Sequence, residues 1–321
     1  MIKIKQKGFT LIELMVSIGL GLLIVAAGLA IFLSSLKNSR LQEGVSQIQD
    51  GGIFGLEYIA NQVRLANYGN VENRTLNDQT SRGGVVFTTG LPTQSNINLA
   101  MGNANATTAF ENTIVTRSTS GLSNVSLASD QLTIQFVAPN DMQNCVGENV
   151  RKGDRVVQRY FLRQENNKAD HDTNITSMGL ACVANTPLNT PNATPTFLTG
   201  FGVDNTGEII IPNVDYFGFL LGARTGNNYR YYTVAEYTAV ATAARNATPA
   251  QEVPSIEMIK MAVLIRSQNE VRTAPITLST YEILGRTVTL NTPATTGVTN
   301  KFVRNVYVTT IALRNALGDK L

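Results

Sequence analysis

Lys7-Gly8-Phe9-Thr10-Leu11-Ile12-Glu13-Leu14 opens the stretch that decides the fold, and Leu14 to Leu36 continues it for 23 residues without a charge. At ~1.5 Å per helical residue this run makes a rod of about 35 Å, enough to cross the hydrocarbon of a bilayer. Ahead of it lie Lys3, Lys5 and Lys7, with no acid in the first eight residues; behind it follows a long polar chain. That asymmetry predicts a cytoplasmic N-terminus and places everything beyond Lys37 in the periplasm or outside the cell. A cleaved signal peptide would have a shorter apolar region and a small-residue cut site, for which Val25 to Ala30 would serve. A plain membrane anchor would also explain the run. Neither explains Glu13, because a carboxylate near the start of a membrane helix is costly and as a rule has a partner. Hydration of Glu13 at the cytoplasmic interface is the competing reading.

Residues Lys7 to Leu14 resemble the processing motif of type IV pilins and their pseudopilin relatives, and the resemblance extends over the leader, the cut site and the apolar helix. It implies cleavage between Gly8 and Phe9 by a prepilin peptidase, then N-methylation of Phe9. Glu13 becomes the fifth residue of the processed chain, and the resemblance assigns it to the N-terminal amine of a neighbouring subunit. The physics agrees: an embedded carboxylate and an embedded ammonium are each destabilised alone, so their pairing drives assembly. Many major pilins carry a proline midway along this helix; here Gly19, Gly21 and Gly28 stand instead.

The helical pattern outlasts the apolar run. Leu41, Val45, Ile48, Gly52, Leu56, Ile59 and Val63 recur at steps of four and three, while Arg40, Gln42, Glu43, Gln49, Glu57 and Gln62 take other faces. With no proline before Pro92 and a stop at Asn67-Tyr68-Gly69, the pattern predicts a helix from about Phe9 to Asn67, roughly 90 Å long. A coiled-coil stalk would show the same stripe in its second half.

After Gly69 the period changes to two. Strands are expected at residues 85–89, 113–117, 131–137, 155–163, 208–212, 216–221, 229–234, 256–266, 287–290 and 303–313. Long polar connections fall at 90–112 and 184–196. The expectation is therefore an α+β fold: a long N-terminal α-helix, apolar in its first half and amphipathic in its second, packed on a large antiparallel β-rich globular head. Its parts are a leader at 1–8, a transmembrane or filament-core helix at 9–36, an amphipathic helix at 37–69 and a periplasmic head at 70–321.

Cys145 and Cys182 are the only cysteines. An oxidising compartment favours a bridge between them, with free thiols or a redox pair as the alternatives and no C-x-x-C spacing to support the latter.

The composition argues against several functions. Cations exceed acids by 26 to 23, yet removing Lys3, Lys5 and Lys7 leaves 23 against 23, so the surplus a nucleic-acid binder needs is confined to the tail. No phosphate-binding glycine loop, His-Glu-x-x-His or Gly-x-Ser-x-Gly is present. Asp170-His171-Asp172-Thr173-Asn174 superficially fits a calcium loop but has Ile175 where glycine is needed and Ala181 where a bidentate Glu belongs. No catalytic residue, metal or cofactor is expected. The Tyr-rich run Asn228 to Thr233 reads either as packing or as a stacking platform for a base or sugar.

Arg304-Asn-Val-Tyr-Val-Thr-Thr-Ile-Ala-Leu-Arg-Asn315 is similar to the closing segment of PilW-type minor pilins, and Ile259 to Ser267 looks like another strand of that family. This resemblance implies a minor pilin that primes type IV pilus assembly and sits at the tip. Its implied partners are other minor pilins, the major pilin, the prepilin peptidase, the inner-membrane assembly platform and an adhesin held at the tip. A type II secretion pseudopilin shares the leader and Glu13, and an adhesin or DNA-uptake module displayed on the filament is the binding alternative.

Overall fold

One helix sets the axis on which everything else is arranged. In the computed structural model, which describes residues 8–71, 73–87, 115–165, 177–184, 206–268, 279–291 and 302–316, α1 runs Leu11–Val63 without interruption. Its 53 residues measure about 80 Å. The first half is exposed on every side, and burial begins at Gly44. From there Ile48, Gly52, Leu56, Ile59 and Val63 sink into the head, as the apolar stripe requires.

The helix ends at Val63, four residues before Asn67, where the sequence placed its stop. The cause is a competing partner. Leu65 and Ala66 donate to Gln62 and Val63 in a tightened last turn, but the Asn67 N–H turns away to the Gln135 carbonyl at 3.1 Å. Asn67 takes a left-handed φ of 68°, and Gly69 follows at 80°. A Cβ on Gly69 would lie 2.5 Å from Val137, so both the turn and the close approach of the next strand call for glycine there.

The head is two antiparallel sheets packed face to face. Its strands in chain order are β1 (Arg117–Gly121), β2 (Ser129–Val137), β3 (Met142–Gln143), β4 (Asn149–Val150), β5 (Arg155–Gln164), β6 (Met178–Ala184), β7 (Glu208–Ile211), β8 (Val214–Thr225), β9 (Asn228–Tyr232), β10 (Ser255–Arg266), β11 (Thr280–Ile283), β12 (Arg286–Thr289) and β13 (Arg304–Ala312). One sheet has the order β1-β2-β5-β6-β7 and the other β13-β10-β8-β9. β8 lies against β2, β5 and β6 of the facing sheet, and α1 packs on β7, β10 and β13, of which β7 and β13 are the outermost strands of their sheets. Phe136, Phe217, Phe219, Leu221, Ile259 and Ile311 fill the interior with the buried face of α1. The β11–β12 hairpin covers part of the second sheet's outer face through Ile283 and Val288, packed with Tyr216, Ala262 and Leu264.

Sequence and structure part in several places. The strand expected at 229–234 stops at Tyr232, and a helix, α2 (Val234–Asn246), begins where it should end. Thr233 and Glu236 form a reciprocal capping box that starts this helix. β6 was not anticipated: Met178-Gly-Leu-Ala-Cys-Val-Ala184 is buried on both faces over nearly its whole length and so lacks alternation. β11 also went unread. Val85 makes an isolated bridge to Ile134 in place of the start of a strand. Residues 1–7 of the expected leader, residues 88–114, residues 166–176 with His171 and residues 185–205 lie outside the described residues.

Candidate functional site

Two features of α1 define the candidate site: its entry and its seat on the head. At the entry, Glu13 Oε2 accepts the Thr10 N–H at 3.4 Å while Thr10 Oγ1 accepts the Glu13 N–H at 3.3 Å. The Ser17 hydroxyl donates to the Glu13 carbonyl at 2.7 Å. Within a single chain, then, Glu13 serves as the N3 residue of a capping box, a role not foreseen although Thr-x-x-Glu is its signature. Its carboxylate is exposed, as are Gly8 and Phe9. Leu11–Val63 is long and apolar enough to cross a membrane, and none of its most apolar window is buried against the head.

Two glycines make the seat. A Cβ on Gly52 would stand 2.4 Å from the Tyr307 ring of β13, and one on Gly55 would stand 2.4 Å from Ile211 of β7. The helix therefore meets the last strand of each sheet through a bare backbone, a role that their apolar spacing alone did not reveal for Gly55.

Polar contacts lock the seat. The Tyr58 hydroxyl donates to the carbonyls of Asn144 and Cys145 at 3.4 and 3.3 Å, and partial burial raises its pKa. Gln62 Nε2 donates to the Gln143 carbonyl at 3.4 Å, and Gln158 Nε2 donates to Gln62 Oε1 at 3.1 Å. The Tyr160 hydroxyl, wholly buried, donates to Gln158 Oε1 at 2.7 Å, and desolvation holds its pKa well above the ordinary value. The loop that Tyr58 grips is itself anchored. Cys145 and Cys182 are joined by a disulfide with Cα atoms 6.2 Å apart, across a separation of 37 residues. On the chain-entropy account such a bridge contributes about 4 kcal/mol.

At the far end Arg304 Nε sits 2.6 Å from Asp215 Oδ2 and Arg266 Nε 3.2 Å from Oδ1, all three side chains buried. This group joins β8, β10 and β13. Asp130 is also buried. Its carboxylate accepts the N–H groups of Thr119 at 2.8 Å and Phe219 at 3.0 Å. Desolvation pushes its pKa up to about 6, against the opposing pull of those two bonds and of the Arg286 charge.

The Tyr-rich run does not form a platform of aligned rings. Tyr232 packs edge-on against Tyr237 in the core, Tyr229 donates to Glu257 at 2.9 Å, and Tyr231 stands near Lys260. Among the described residues no group of His, Cys, Asp and Glu has the geometry of a metal site.

The prokaryotic N-terminal methylation motif matches residues 3–29, and the type IV pilus-assembly protein W family matches residues 182–315. The first spans Gly8, Phe9 and the start of α1, and the second runs from within β6 to just past the end of β13. Together the two matches support a PilW-type type IV pilin. No curated protein sequence matches it. Among solved structures it is similar to a type IV-like pilin from Thermus thermophilus, at 11% identity over 86% of this chain and 97% of that one. With a TM-score of 0.32 that likeness carries no weight for the fold. A PilW-type pilin is a structural subunit that associates with other pilins.

Proposed function

We propose that this PilW-type pilin helps prime type IV pilus assembly and sits at the pilus tip with other minor pilins. The observation that carries the reading is the family match over residues 182–315, on the same chain as the methylation motif. Before assembly the chain spans the inner membrane once, with its N-terminus in the cytoplasm and its head in the periplasm. The prepilin peptidase cuts after Gly8 and the new N-terminus, Phe9, is methylated. Glu13 then exchanges its contact with Thr10 for the amine of an adjacent subunit, which relieves two embedded charges at once. The breadth of a head extending from residue 70 onward suits a tip position, where no further subunit has to stack above it.

Deleting the gene in its native host, with surface pili and type II secreted protein scored side by side, tests the reading. Loss of pili with secretion intact is expected. Loss of secretion with pili intact would make the chain a pseudopilin, and no change in either would leave the head's own binding as its function.

A further inference from the structure

Among the described residues, the last strand of the second sheet has an open edge. β13 pairs with β10 along its whole length, Met258 opposite Ala312 through Arg266 opposite Arg304. Ser267 N–H donates to the Val303 carbonyl and Leu313 N–H to the Glu257 carbonyl, so the odd-numbered positions bond inward. By alternation the peptide groups of Val306, Val308, Thr310 and Ala312 point outward. The Val306 N–H is held by the side chain of Asn305 at 3.0 Å, which closes one end of the edge. Val308, Thr310 and Ala312 are exposed, and among the described residues no strand lies beside them. α1 packs on a different side: Tyr307, whose ring meets Gly52, points to the opposite face from Val306, which packs with the β11–β12 hairpin.

Open edges of this length are normally guarded by lysine, proline or a bulge. The other three outermost strands are short. β7 has four residues, β1 has five with an irregular register, and β9 has five and carries Arg230. β13 has nine residues, and Asn305 to Ala312 contains no charge and no proline. Outward peptide groups repeating every ~7 Å are matched only by another extended chain.

We propose that β13 receives a strand from another pilin of the same assembly, an uncharged extended segment with small or β-branched side chains beside Val308, Thr310 and Ala312. This rests on the pilin-assembly reading and adds a head-to-head contact to the contact made by the helices.

The test uses the full chain in its host, with a photo-crosslinking phenylalanine analogue at Thr310 and, as a control for helix packing, at Leu22. The expected result is an adduct from Thr310 to an extended segment of another pilin, reduced about tenfold by Val308→Lys, a loss of about 1.4 kcal/mol. An adduct from Leu22 with none from Thr310 would overturn the edge contact alone. So would an adduct from Thr310 only to a second copy of this chain. Failure at both positions would overturn the assembly reading and the edge contact with it. Thr310→Pro gives an independent arm, because it removes an outward N–H without touching the pairing with β10. It should leave abundance and leader cleavage at the wild-type level while piliation falls; normal piliation would contradict the proposal.

Discussion

Asn67 and Asn315 stand 248 residues apart in the chain, and the Asn67 amide donates to the Asn315 carbonyl at 2.8 Å. Asn315 in turn donates to the carbonyl of Arg64 at 3.2 Å, and the Gly84 N–H donates to Asn67 Oδ1 at 3.0 Å. The end of α1 and the end of β13 are thereby fastened to one another. Pairing these two asparagines couples the orientation of the assembly helix to the strand that bears the open edge.

Asn67→Ala should destabilise the chain by about 3 kcal/mol, from the lost side-chain hydrogen bonds, those with Asn315 and Gly84 among them, and the strain of alanine at a positive φ. Asn67→Gly should cost about 1 kcal/mol less, because glycine tolerates that φ. Denaturant titration of the two variants measures the difference; equal losses would mean that backbone conformation plays no part.

Gly52→Ala should loosen the helix from the head by about 1–3 kcal/mol, since its Cβ would enter the Tyr307 ring. Tyr307→Ala added to it should recover part of that loss. A double-mutant cycle by thermal unfolding gives the coupling, and strictly additive effects would show that the two residues do not meet.

Asp130 gives the head a pH signature. Its folded pKa of about 6 exceeds the unfolded carboxylate value near 3.9, so between the two the folded state holds the extra proton. Its contribution to stability is therefore greatest below about pH 4 and is lost as pH rises through 6, a change on the order of 3 kcal/mol. The stability of the wild type minus that of Asp130→Asn, followed across this window, should fall with rising pH. A flat difference would mean that Asp130 is not desolvated.

Glu13→Gln should leave membrane insertion intact and reduce incorporation into pili at least tenfold, while Gly8→Val should leave the leader uncut. Immunoblots of membrane and sheared-pilus fractions separate the two phenotypes. Normal incorporation of Glu13→Gln would remove the charge-pairing account.

What the sequence disclosed follows from which signals are local. The apolar run and the stripe from Leu41 to Val63 depend only on helical period, and they were readable. So were β2, β5 and β10, whose strand patterns are long. The early stop at Val63 was not readable, because it is decided by the Gln135 carbonyl, some seventy residues further on. β6 was hidden by burial on both faces. Thr233-x-x-Glu236 announces α2 at the end of a run whose alternating tyrosines read as a strand, and the same signature stands at Thr10 and Glu13. The seat of α1 rests on Gly52 meeting Tyr307 and Gly55 meeting Ile211, pairings that only the folded chain brings together.

The most direct test of a priming subunit at the tip is to label the head with gold on sheared, purified pili and locate it by electron microscopy. The account predicts label at one end of a filament and none along its length. Label distributed along the shaft would contradict it, and so would pili that form in normal number without the chain.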